Sequence, residues 1–500
     1  MLLTGIFAAG AFIFLPSGHA LKNSRRENAS VFEYHNGPKR DGVYIAPTLT
    51  KASAASFHID PAFNARIDGA IYAQLLYTAG PEGKAAVIAA SEQNIVAAFD
   101  AATGRTLWKR KLGDPVPLSK LPCGNIDPLG ITGAPVIDKK TGTLFVDAMT
   151  TPDGGQTKKH LVFALSVKDG SVLKGWPVDI SARVRYGHIP FDSELQNQRG
   201  ALAFVKGKVY VPYGGHWGDC GDYHGWLVGI NASNPEDVKA WATGSRRGGS
   251  WAPGGAASDG PDIFISTGNT SDAKEWSGGE AIIRFQGGPV FSGSQKDYFA
   301  PENWRQLDET DLDLGGEGPV IVDLPGSKPS KLIIALGKDG KIYLMNRDNM
   351  GGVGRQAAVA KVAKNALIGS AAAYTTKRGT YVTFAGKGIL CPDGEAGDIM
   401  AVRLIPGAPP SVKTAWCARQ NGRGSPIVTT TDGHSEAIVW SVGAEGDNRR
   451  HGFDGDTGKV VYAGGGRKDA IGKVRRFQTP IFAGGRIFIA ADGTIRAFTR

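Results

Sequence analysis

The stretch Ala98-Phe99-Asp100-Ala101-Ala102-Thr103-Gly104-Arg105-Thr106-Leu107-Trp108 constrains the fold of this 500-residue chain more than any other. It reads as a strand, a tight Asp/Thr/Gly turn and a second strand that carries a Trp. Weaker relatives recur at roughly fifty-residue spacing, and Asp454-Gly455-Asp456-Thr457-Gly458 repeats the turn chemistry. Such a period predicts a β-propeller: one antiparallel sheet per repeat, each leaning on the next, with the Trp wedged between neighbours. The 70 glycines suit a fold with many tight turns.

The alternating runs place the blades. Blade one covers residues 66–113, with 70–72 as its innermost run, blade two about 134–176 and blade three about 201–241. Blade four holds 262–266 and 280–285, and blade five holds 318–322, 331–335 and 341–345. Blades six and seven cover about 368–419 and 424–466. The tail supplies three strands, 478–483, 486–491 and 494–498. An open ring would leave an exposed sheet edge, so a strand near 54–59 is expected to complete blade eight. The fold class is therefore all-β, an eight-bladed propeller of four-stranded antiparallel blades; seven blades with a free tail is the alternative. Residues 21–500 form one domain on this reading.

The net charge of +10 is spread over pairs such as Lys139-Lys140, Arg246-Arg247 and Arg475-Arg476, with no long basic block and no interleaved aromatics. That pattern describes a solvated basic surface and excludes a nucleic-acid partner. The apolar run at 1–15 is too short to span a bilayer comfortably. Small residues in Pro16-Ser17-Gly18-His19-Ala20 fit cleavage after Ala20, so residues 1–20 read as an export signal. The mature chain is then periplasmic or secreted, without a transmembrane anchor. Four cysteines fit an oxidising compartment and allow three pairings. Cys123 with Cys220, and Cys391 with Cys417, is the preferred set.

These strand–AxDxxTGxxxW repeats resemble the quinoprotein alcohol dehydrogenase-like superfamily, eight-bladed propellers that hold pyrroloquinoline quinone (PQQ) and a Ca²⁺ or lanthanide ion on the ring axis. The resemblance spans nearly the whole mature chain, and specific positions carry it. Gly249-Ser250-Trp251 resembles the segment whose Trp lies flat beneath the quinone. Phe264-Ile265-Ser266-Thr267-Gly268-Asn269 resembles the run whose Asn binds the metal, and Gly337-Lys338-Asp339-Gly340 the turn whose basic residue contacts the quinone oxygens. Trp304 and Asp311-Leu312-Asp313 resemble the stretch with the catalytic Asp and, in lanthanide users, a second coordinating carboxylate.

The resemblance thus implies Asp311 as general base, Trp251 and Lys338 as quinone contacts, and Asn269, Asp313 and Asp219 as metal ligands. Asp219 or Asp222 would stand in for a blade-three Glu that is missing here. Two further departures are plain. Pro122-Cys123-Gly124 holds one cysteine where family members often have two adjacent ones, and Gly130-Ile131-Thr132-Gly133 lacks the expected basic residue. Plainer roles also exist: Trp251 as a wedge between blades, Asn269 as a turn residue, Asp311 and Asp313 on a solvated strand, Lys338 at a hairpin tip. Two functions follow. One is a PQQ- and metal-dependent dehydrogenase oxidising a small alcohol or sugar. The other is a non-catalytic scaffold or binding protein, which has lost the cofactor and holds a periplasmic protein partner. A carbohydrate-handling propeller is a weaker third.

Overall fold

In a computed structural model, which describes residues 30–79, 84–392, 394 and 397–500, eight antiparallel sheets form a ring. The segment read as an export signal lies outside the described residues. The innermost strands are Leu76–Ala79, Val136–Asp138, Ala203–Val205, Ala257–Ser258, Val320–Asp323, Ala372–Thr376, Ile427–Thr430 and Ile481–Ala483. Three further strands follow each in antiparallel order. In blade one the innermost strand is Leu76–Ala79 and not the expected 70–72. Its four residues pair with Ala85–Ser91, whereas Ile71 lies in the preceding connection and accepts a hydrogen bond from Gln478 Nε2 at 3.2 Å.

The repeated turn explains itself chemically. Asp100 Oδ1 accepts from the backbone N–H groups of Ala102 and Thr103, an Asx-type arrangement, and Gly104 supplies the φ of 75° that closes it. Asp454 does the same for Asp456 and Thr457, with Gly458 at φ 72°. The Trp wedge is real in two places. Trp108 Nε1 donates to Val167 O of blade two at 2.9 Å, and Trp416 Nε1 to Gly455 O of blade seven at 2.9 Å. In each case a glycine, Gly170 or Gly458, leaves the space that the indole occupies. The alternating inward faces fill the interfaces between blades with Val, Ile, Leu, Phe and Ala.

The ring closes through the amino-terminal segment: His58–Ile59 and Ala65–Arg66 both run antiparallel to Thr494–Thr499 of blade eight. Before it gets there, the same segment does something the strand pattern does not announce. It winds around the inside of the ring. Val31 bridges Tyr77 of blade one, and Phe32 O accepts from Ile137 N of blade two. Arg40 donates to Leu202 O and Ala256 O of blades three and four. Lys39 O and Asp41 O accept from Ile321 N and Ala373 N of blades five and six, and Val43–Ile45 pairs in parallel with Val428, Thr429 and Thr430 of blade seven. Innermost strands present unpaired backbone groups to the axis, and this segment satisfies them. Beneath Arg199 it leaves a cavity of about 10 Å³ lined by Tyr34, Gln74 and Phe477 among others. That is room for about one water.

Both disulfides have the preferred connectivity, Cys123–Cys220 and Cys391–Cys417. The second closes a loop with a sequence separation of 26 inside blade six. Replacing both of its cysteines with Ser is expected to cost about 3 kcal/mol through the released chain entropy, read as a lower melting temperature.

Candidate functional site

Antiparallel order dictates where the candidate residues emerge. Connections from one blade's outermost strand to the next blade's innermost strand leave at the same end of the ring as those between a blade's second and third strands. Trp251 and Asp311-Leu312-Asp313 lie in connections of the first kind, and Asn269, Lys338 and Asp219 in connections of the second. All five stretches therefore crowd one end of the axis. Their backbones interlock: Gly248 N donates to Asn269 O, Gly268 N to Gly249 O, and Lys338 N to Asp313 O, at 2.7, 3.0 and 2.8 Å.

The two aspartates do not lie on a strand face as expected. A short helix, Trp304–Thr310, runs across the connection and ends at Asp311, which adopts the left-handed conformation at φ 53°. Asp tolerates that conformation better than most residues, and its N–H returns to Leu307 O. Asp308 on this helix accepts from Thr270 N and Oγ1, both at 2.7 Å, which staples the Thr-Gly-Asn loop to the helix. Burial pushes the Asp308 carboxyl up to about 6.

Lys338 is the centre of the cluster. Its Nζ lies 2.6 Å from Asp311 Oδ1 and 2.5 Å from Asp313 Oδ2, and 5.3 Å from the centre of the Trp251 ring. Asp313 is buried, and its other oxygen accepts from Asn269 N at 2.6 Å. Asp311 differs, with a side chain 67% exposed. Gly268 lets these groups meet: a Cβ there would stand 2.5 Å from Asp313 Oδ1 and 3.0 Å from Trp251 Nε1. Burial opposes the charge on Lys338, but Asp313 and Asp311 outweigh it and hold the ammonium above the usual lysine range. Burial also raises Asp313, against the pull of Lys338.

Trp251, Asn269, Asp311, Asp313 and Lys338 thus converge on one place. Asp219 makes none of these contacts; its Oδ1 accepts from Tyr223 OH at 2.6 Å, and its charge, like that of Asp313, acts on Arg199. Asp222 turns away to pair with Arg246 at the rim. Three groups escape sequence reasoning. Arg199 places its guanidinium 5.5 Å from the Trp251 ring centre, and its buried Nε meets no acceptor among the described residues. Glu280, fully buried under Asp313, accepts from Leu314 N at 2.5 Å; burial and then the Asp313 charge push it well above the carboxylate range. Glu317 is buried farther along the same connection, with no donor to either oxygen among the described residues. The signal for Arg199 and Glu317 was position. Both stand three or four residues ahead of an innermost strand, where side chains face the axis.

An aromatic floor with two cations at its ring is the donor set a planar, polyanionic quinone requires, and the cluster fits that group. A resident metal ion fits less well. Asp313 spends one oxygen on Asn269 N and the other on Lys338, Asp311 has one on Lys338, and Asp219 has one on Tyr223. Among the described residues no three His, Cys, Asp or Glu side chains come together in an arrangement that could hold a metal. No helix among them is long and apolar enough to cross a membrane.

No family model and no curated protein matches the sequence. Solved structures do match the fold. A quinohemoprotein alcohol dehydrogenase of Pseudomonas putida HK5 superposes with a TM-score of 0.65 at 13% identity, over 94% of this chain and 80% of that one. A europium-containing methanol dehydrogenase gives 0.60 at 14%, over 93% and 90%. BamB from Moraxella catarrhalis gives 0.51 at 15%, over 89% and 98%. The chain shares the fold of these structures, an eight-bladed β-propeller of four-stranded blades. The fold does not by itself assign an activity.

Proposed function

We propose that this chain is an exported oxidoreductase that binds pyrroloquinoline quinone at the axial cluster and oxidises a small alcohol or sugar. One observation carries the reading: a lysine ammonium held by two aspartates beside a tryptophan ring, at the end of the ring where the substrate can arrive. The apolar run at 1–15 with its small-residue cleavage site, and two disulfides, support export.

Each residue has a task. Trp251 offers the flat apolar face on which a tricycle stacks. Lys338 and Arg199 bring cations to that face, where carboxylates and quinone oxygens would be received. When bound, the quinone supplies the oxidant that accepts a hydride from the substrate carbon. Asp311 takes the hydroxyl proton on its second carboxylate oxygen, because its first is fixed by Lys338 and its side chain alone in the pair reaches solvent. The buried Asp313 holds Lys338 in register, and Asn269 N holds Asp313.

Purified protein mixed with PQQ is expected to retain quinone absorbance after desalting and to reduce an artificial dye with short alcohols or sugars. Asp311→Asn should keep the absorbance while the rate falls about 10³-fold, the usual scale for a lost general base. Trp251→Ala should lose the absorbance itself. Protein that retains no quinone under any loading condition would leave the non-catalytic, partner-binding propeller as the reading.

A further inference from the structure

We propose that the Lys338 ammonium occupies the place of a metal ion, so that the axial cluster supplies its positive charge from within the chain and is metal-independent. This deepens the reading above, resting on it for the quinone but not for the geometry. Both oxygens of Asp313 and one of Asp311 are engaged by protein donors, while Glu280 Oε1 has no partner among the described residues. Lys338 Nζ sits between Asp311 Oδ1 at 2.6 Å and Asp313 Oδ2 at 2.5 Å, within reach of a charge-assisted hydrogen bond to each. Backbone N–H groups hold the next oxygens: Asn269 N holds Asp313 Oδ1, and Leu314 N holds Glu280 Oε2.

The third ligand a metal would need is also withheld. Asp219 stands where the chain lacks a glutamate. Its Oδ1 accepts from Tyr223 OH, and its neighbour Cys220 is tied to Cys123, so its loop is fixed by two contacts of its own. Arg199, 5.5 Å from the Trp251 ring centre and under the charge of both Asp219 and Asp313, adds a second positive charge to the cluster. A Ca²⁺ or lanthanide ion favours six or more oxygens and avoids neighbouring cations. Two cations beside Trp251 present the opposite environment.

An ammonium in this position can do what the ion would do for a bound anion or carbonyl oxygen. It donates a charge-assisted hydrogen bond and stabilises negative charge as that develops. It does so as a point charge with three donors, two of them directed to Asp311 and Asp313 and the third left for a ligand.

Terbium tests this without reference to activity, because Trp251 next to the cluster would sensitise Tb³⁺ emission. Wild-type protein titrated with Tb³⁺ is expected to show no saturable sensitised emission, with or without PQQ. Lys338→Gln frees both aspartates and is expected to bind Tb³⁺ saturably, and adding Asp313→Asn should abolish that gain. Saturable emission from wild-type protein that Asp313→Asn removes would overturn the proposal. So would a Lys338→Gln protein that folds and still binds nothing, because the ammonium would then not be what excludes the ion. Tb³⁺-soaked wild-type crystals need no variant: an anomalous peak between Asp311 and Asp313 sinks the idea, and lysine density there with no peak supports it. A protein that binds neither PQQ nor Tb³⁺ refutes the oxidoreductase reading while leaving the Lys338 proposal standing.

Discussion

Glu317→Gln raises the stability of this protein at alkaline pH and flattens its pH dependence. Glu317 lies on the axis, fully buried, with no donor to either carboxylate oxygen among the described residues. Burial alone pushes its carboxyl from an ordinary value of 4.5 up to about 8. The nearby Tyr34 hydroxyl, itself pushed up to about 12, offers no positive charge. The sign follows from proton counting. Between about pH 4.5 and pH 8 the folded chain keeps a proton that the unfolded chain has released. Stability is therefore complete below the lower value and falls by about 1.4 kcal/mol per pH unit up to the higher one, roughly 5 kcal/mol in all.

The amide of Gln fills the same volume and stays neutral, so the variant should lose that slope. Denaturant midpoints at pH 5 and pH 9 decide it: wild type and variant should lie close together at pH 5 and diverge at pH 9. Equal losses in both proteins would show that Glu317 is not the titrating group. Glu92, fully buried and pushed up to about 7 by burial against bonds from Gly130 N and Thr132 Oγ1, leaves a slope of the same sign in both.

The second large effect belongs to the cluster itself. Lys338→Met is expected to destabilise the protein by about 3–5 kcal/mol, because it strands the buried Asp313 without its counter-charge. The thioether chain keeps the packing beside Trp251, so the cost is electrostatic rather than a cavity. Asp313→Asn alone should cost less, since Lys338 still has Asp311, and the double variant should recover most of what Lys338→Met lost. A double-mutant cycle in denaturant measures the coupling. Additive costs would mean that the pair contributes nothing to the fold and that Lys338 is held by Asp311 alone.

Much of the ring was legible in the chain because its signals are local. The Asp/Thr/Gly turn needs only an Asx bond and a left-handed glycine, both encoded within five residues, and Trp108 follows the first such turn by four residues. The candidate site was legible to the extent that its residues sit in recognisable loops. Asp311 shows the limit. An Asp-Leu-Asp alternation is a strand signature, yet Trp304–Thr310 forms a helix whose end lifts Asp311 into solvent and buries Asp313. Which of two aspartates is wet depends on what packs above the loop, and alternation carries no such information.

The amino-acid sequence by itself determined the repeat, hence the blades, their antiparallel order and the end of the ring at which their longer connections emerge. Those depend on short-range turn chemistry and period-two burial. Only the tertiary structure decided that residues 31–46 line the axis, that Arg199 from one loop faces Trp251 from another, and that Lys338 sits between Asp311 and Asp313. Those contacts join residues far apart in the chain, and their energies come from desolvation and charge pairing. Neither exists until the ring has closed and excluded water from its axis.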